Sequence, residues 1–165
     1  MQMSRGRTSG RLPVIVSIVV ALMLTIVPLP GWAESLRPDW VALLLIYWAI
    51  MLPRSWGVGS AWIIGIVLDV AQGTILGQHA VALCFIVFIA VRFHLLMRVF
   101  PVLQLAATVF VLLALYQFLL FWINGVVGVS APAMSYWAPV MTGTMFWSVA
   151  YKFLPGVRYR TRSGP

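Results

Sequence analysis

Acidic side chains are almost missing from this chain: Glu34, Asp39 and Asp69 are its three carboxylates among 165 residues, against eleven Lys and Arg. Glu34 and Asp39 share one polar stretch and Asp69 stands alone in an apolar run, so no pair exists for aspartyl catalysis inside a membrane. Cysteine is scarcer still. Cys84 occurs once, within an apolar segment, which excludes a disulfide framework and leaves a small packing residue. His79 and His94 are 15 residues apart, about 22 Å along a helix, and no HExxH is present, which excludes the usual zinc spacings. The stretch GVGSAWIIG lacks the Lys-Ser/Thr ending of a phosphate-cradling loop. No serine sits in a recognisable nucleophile motif. Neither metal nor cofactor is expected, no catalytic residue is nominated, and the chain reads as a non-enzyme.

What the chain has in abundance is apolar surface. Hydrophobic residues make up 62% of it and charged ones 8%, with a mean hydropathy of +1.01. A soluble domain of this length would alternate apolar and charged helix faces, whereas these runs are apolar all round, so the solvent is a bilayer. Unpaired backbone groups are costly in lipid, and the runs show no two-residue alternation, so the fold class is all-α, a polytopic helical bundle. Six spans are expected, at about 12–29, 38–53, 57–73, 79–97, 101–123 and 138–154, in one membrane domain with short basic ends at 1–11 and 155–165.

The net charge of +8 records topology. With the N-terminus in the cytoplasm, every basic residue except Arg37 falls on the inner side: Arg5, Arg7, Arg11, Arg54, Arg92, Arg98, Lys152, Arg158, Arg160 and Arg162. The positive-inside rule therefore predicts both termini in the cytoplasm and an even number of spans. Bases spread over short loops suit anionic lipid rather than nucleic acid. A rival topology treats the first run as a secretory signal cleaved after Ala33, leaving five spans. The run from Leu12 to Leu29 is longer than a typical signal core and favours a retained span. The outer stretches PLPGWAESLRPDW and NGVVGVSAPAMSYW hold Pro, Gly and tryptophans, as interfacial turns do. The second span is expected to begin near Leu36, with Pro38 in its first turn.

The stretch GIVLDVAQGTILG places Asp69 among glycines at four-residue spacing, Gly65, Gly73 and Gly77. On a continuous helix Gly65, Asp69 and Gly73 would share one face, a small-xxx-small groove for another helix with a carboxylate pointing into it. A charged Asp at mid-bilayer costs about 2.5 to 3.5 kcal/mol on insertion scales, so a partner, a proton or water has to offset it. Candidate partners are Gln72, Thr74, Gln78, Gln104, Gln117 and Thr142. His79 reads as an outer helix-end residue and His94 as an inner one. Three roles for Asp69 stay open: internal packing, a docking surface for a partner helix, and a ligand or proton site.

The Gly65, Asp69, Gly73, Gly77 run, the outer LRPDWVALLLIYWAI with Arg37, Pro38, Asp39 and Trp40, and the inner PRSWGVG together resemble the rod shape-determining protein MreD family of Gram-negative bacteria. Length, span number and basic ends agree, so the resemblance covers essentially the whole chain. It implies a non-enzymatic inner-membrane scaffold of the cell-elongation machinery, supporting rod shape and peptidoglycan synthesis. It also implies MreC as direct partner, and through it MreB, RodA, a penicillin-binding transpeptidase and RodZ. The family's fold is similar to the substrate-binding membrane component of energy-coupling-factor transporters. The other reading is accordingly a small-molecule binding component of a transporter, for a vitamin-like ligand or a lipid.

Overall fold

The computed structural model describes residues 12–129 and 135–153. The basic ends, with Arg5, Arg7, Arg11, Arg158, Arg160 and Arg162, and part of the second outer stretch lie outside the described residues. Among the described residues the chain is helical without strands: α1 (Leu12–Ile26), α2 (Gly31–Glu34), α3 (Trp40–Met51), α4 (Val58–Gln72), α5 (Gln78–Arg92), α6 (His94–Val99), α7 (Val102–Val127), a 3₁₀ turn (Ser135–Trp137) and α8 (Ala138–Phe153). Each expected apolar run contains a helix, so the all-α expectation holds.

Proline punctuates the helices, since it lacks the N–H that would continue a helix and restricts the residue before it. α1 stops ahead of Pro28, α3 ahead of Pro53 and α6 ahead of Pro101, which then serves as the N-cap of α7. The helix bounds differ from the expected segments in four places. The run 79–97 divides at Phe93 into α5 and α6, the 101–123 run continues to Val127, and α2 forms inside the first polar stretch. The helix expected from Leu36 begins at Trp40 instead, with Pro38 buried just before it and its carbonyl accepting the Trp40 N–H at 2.9 Å. By length and composition α7, of 26 residues, is able to cross a membrane, while α1, α3, α4 and α5 are apolar but shorter.

α3 is the hub. Val41, Ala42, Leu43, Leu45, Ile46, Tyr47, Ala49 and Ile50 are all buried, because α3 touches α1, α5, α6, α7 and α8. The outside of the bundle is as apolar as its inside: Met23 on α1, Ile63 and Val70 on α4, Phe88 on α5, Leu103 on α7 and Met145 on α8 are each more than half exposed. Exposed apolar surface on all of these outer helices would drive association in water and suits lipid contact.

Candidate functional site

α4 and α5 form a hairpin that carries the four residues singled out in the sequence, Gly65 and Asp69 on α4 and Gly73 and Gly77 in the turn. Gly65 sits where the two helices cross. A Cβ there would lie 2.6 Å from the Ala80 backbone nitrogen, so only glycine admits this approach. The groove expected on this face is thus filled by α5 of the same chain. Gly73 and Gly77 do not share the helical face with Gly65, which corrects the expectation of one continuous stripe. Both lie in the turn, with φ of 64° and 97°, a conformation that a Cβ makes costly. Gly73 ends α4 in a Schellman-type cap, with the Thr74 N–H reaching the Asp69 carbonyl at 3.0 Å and the Gly73 N–H reaching Val70.

That turn folds the start of α5 over the side chain of Asp69, which is fully buried. Its Oδ2 accepts the Gly77 N–H at 2.8 Å. Its Oδ1 accepts the His79 N–H at 3.0 Å, the His79 Nδ1–H at 2.7 Å and the Thr74 hydroxyl at 3.0 Å. Helix N-termini leave backbone N–H groups without intrahelical acceptors. Gly77, as N-cap of α5, has no side chain to supply one. Asp69 supplies it from the neighbouring helix, and its negative charge faces the positive end of the α5 dipole. Asp69 is therefore a cap delivered across a hairpin, and every partner it has is a donor.

Of the expected partners only Thr74 is used. Thr142 bonds carbonyls of its own helix, and Gln117 is buried without a partner among the described residues. His79 is a partner that the sequence pattern did not reveal. It is buried, hydrogen-bonded by ring and backbone, and within 6.3 Å of the Tyr116 ring. A usable signal was present: a helix opening on glycine needs a foreign acceptor, and the nearest carboxylate is Asp69, one turn before the preceding helix ends.

The other charged candidates also act on helix ends. Arg37 donates to the Thr25 carbonyl and, at 2.6 Å, to the Val27 carbonyl, closing the C-terminus of α1, where a cation is favoured. Pro38, Asp39 and Trp40 lead into α3, and Trp40 stacks edge-on against Phe146 of α8 with centroids 5.0 Å apart. At the opposite end Arg98 donates to the Ile50 carbonyl at 2.7 and 2.9 Å and to Met51 at 2.7 Å, closing α3. The arrangement positions helices. No group of three or more His, Cys, Asp or Glu side chains able to hold a metal occurs among the described residues.

Comparison with known proteins bears on what such a bundle does. The family described as rod shape-determining protein MreD matches residues 7–157. The Rod shape-determining protein MreD of Haemophilus influenzae is 31% identical over 80 residues, 48% of this chain and 49% of that protein. The aligned region thus spans about half the length of that relative. No solved structure matches.

Proposed function

This chain belongs to the MreD family of rod shape-determining proteins, bacterial membrane proteins that are not enzymes, and from that premise we propose that it is a scaffold of the cell-elongation machinery in the inner membrane. In this reading six segments span the bilayer: α1, α3, α4, α5 with α6, α7 and α8. The segments before α1 and after α8 are cytoplasmic, as the distribution of basic residues favours. The bundle binds MreC and through it engages MreB, RodA, the transpeptidase and RodZ in support of peptidoglycan synthesis.

The observation that carries the reading is the family match over residues 7–157. The geometry agrees with it, because Asp69, Arg37 and Arg98 serve helix ends rather than chemistry. Gly65, Asp69, Gly73 and Gly77 contribute from within, by holding the α4–α5 hairpin in one shape that a partner can recognise.

Depleting the protein in its host and following cell width tests this reading. Cells are expected to round, MreC to co-purify with the wild-type chain, and Asp69→Asn to restore shape better than Asp69→Leu. Cells that stay rod-shaped on depletion would remove the scaffold reading. A stoichiometric non-lipid ligand retained in native mass spectrometry would replace it with the transporter component.

A further inference from the structure

At the end of the bundle where α3 begins, a recess of about 300 Å³ opens between α2, α7 and α8, lined by Gly31, Glu34, Ser35, Gln117, Tyr136 and Pro139. Gln117 stands on α7 with 6% of its surface exposed, and its amide has no hydrogen-bond partner among the described residues. The buried side-chain polar atoms left without a partner among the described residues are Arg37 Nε and Trp147 Nε1; the Gln117 amide instead opens onto the recess, where it offers both a donor and an acceptor to a group that enters.

The charge around the recess says what kind of group that is. Glu34 lines it, whereas Asp39 stands outside the lining and burial pushes its carboxyl up to about 7. Neither carboxylate forms an ion pair among the described residues. The one basic residue of this segment, Arg37, is turned away onto the carbonyls of Thr25 and Val27. In a chain of net charge +8 the charged group on the wall of this recess is thus a carboxylate, that of Glu34. Tyr136 is held by Asn124, whose Nδ2 donates to its hydroxyl at 3.2 Å. Burial pushes the phenol above its ordinary pKa of 10.0, so the ring stays neutral; it meets Phe121 edge-on with centroids 5.7 Å apart, and a neutral aromatic ring is a partner a cation favours.

We propose that this recess binds the guanidinium group of an arginine side chain, presented by a polypeptide that approaches this end of the bundle. A guanidinium carries several donors in a planar fork, is weakly hydrated and stacks on aromatic rings. Those properties match acceptors spread over the Glu34 carboxylate, the Gln117 amide oxygen and the Ser35 hydroxyl, with the Tyr136 ring beside them. A divalent ion would need several converging oxygen ligands, and a single carboxylate lines the wall. A free metabolite is usually enclosed on most sides, and this recess is shallow and largely open. The inference stands on the recess itself and does not depend on the scaffold reading.

The test uses the full chain in lipid nanodiscs, labelled with 3-fluorotyrosine, with the Tyr136 ¹⁹F resonance identified by its loss in Tyr136→Phe. Nα-acetyl-arginine amide is titrated against its neutral citrulline counterpart and against ethanolamine. The arginine probe is expected to shift the resonance saturably and citrulline to leave it in place. Half-saturation should rise about threefold in Glu34→Gln and about tenfold in Gln117→Leu. Glu34 is exposed, so its variant reports even where the Gln117 variant folds poorly. Equal shifts by citrulline, no saturable shift by arginine, or an unchanged titration in Glu34→Gln would overturn the proposal. Ethanolamine binding as tightly as arginine would also overturn it, and would assign the recess to a lipid headgroup.

Discussion

The α4–α5 hairpin and the contact of α1 with α3 and α8 are both pairings of apolar helices, yet they are built in opposite ways. In the hairpin, Gly65 brings the two backbones together at Ala80 and Asp69 gathers four donors in its tip. Along α1, a groove of about 470 Å³ runs between α1, α3 and α8, lined by Val16, Val20, Leu24, Leu44 and Phe146 among others. A side-chain hydrogen bond from the Trp48 indole to Ser17, at 3.0 Å, ties α1 to α3, and the Arg37 cap ties its end to the segment that leads into α3. In water both contacts would be driven by the same burial. In lipid the tails are as apolar as leucine, so apolar contact alone holds little and close approach or a satisfied polar group holds much. The hairpin is the closely packed, hydrogen-bonded pairing, and the α1 groove is an open apolar surface.

Removing the carboxylate should break that contrast most sharply. Asp69→Leu leaves the Gly77 and His79 N–H groups, the His79 ring and the Thr74 hydroxyl without their acceptor. A loss of about 3 to 5 kcal/mol is expected, as for a broken buried pair. Asp69→Asn keeps one acceptor oxygen and should lose about half as much. Unfolding in one detergent, followed by circular dichroism, reads both, and a wild-type midpoint for the leucine variant would show that the cap does not hold the hairpin.

A smaller effect is expected where backbones meet. Gly65→Ala forces α5 away from α4 because the new methyl meets backbone rather than a side-chain tip, costing about 1 to 3 kcal/mol. If this variant unfolds with the wild-type protein, the hairpin is looser than its geometry indicates. Val20→Phe in the groove should change stability least, within about 0.5 kcal/mol, since Val20 is half exposed on an open wall. A large loss there would mean that the groove is a packed interface, and the contrast between the two regions would fail.

The helices were legible because hydropathy is additive along a chain: each apolar run holds a helix whatever its neighbours do, and the prolines mark where several of them stop. The importance of Asp69 was legible for the same reason, as a carboxylate in a run that cannot solvate it. Its role was only half legible. Reading Gly65, Asp69 and Gly73 as one face assumed a helix continuing through Gly73, but the positive φ of Gly73 and Gly77 turns the chain back and brings His79 onto the carboxylate. From charge distribution Arg37 read as an outer residue and Arg98 as an inner one, and their partners lie 10 to 12 and 47 to 48 residues away, a separation that no local pattern reports.

The sequence by itself determined the solvent, the fold class and the places where charge is tolerated, because transferring a residue into lipid costs nearly the same in any arrangement. Only the tertiary structure decided which helix end each charge would close, that the glycine groove would be filled from within, and that Gln117 would stand unpaired beside Glu34. Hydrogen bonds and close packing depend on the direction and distance of groups far apart in the chain, and those are settled when the helices meet.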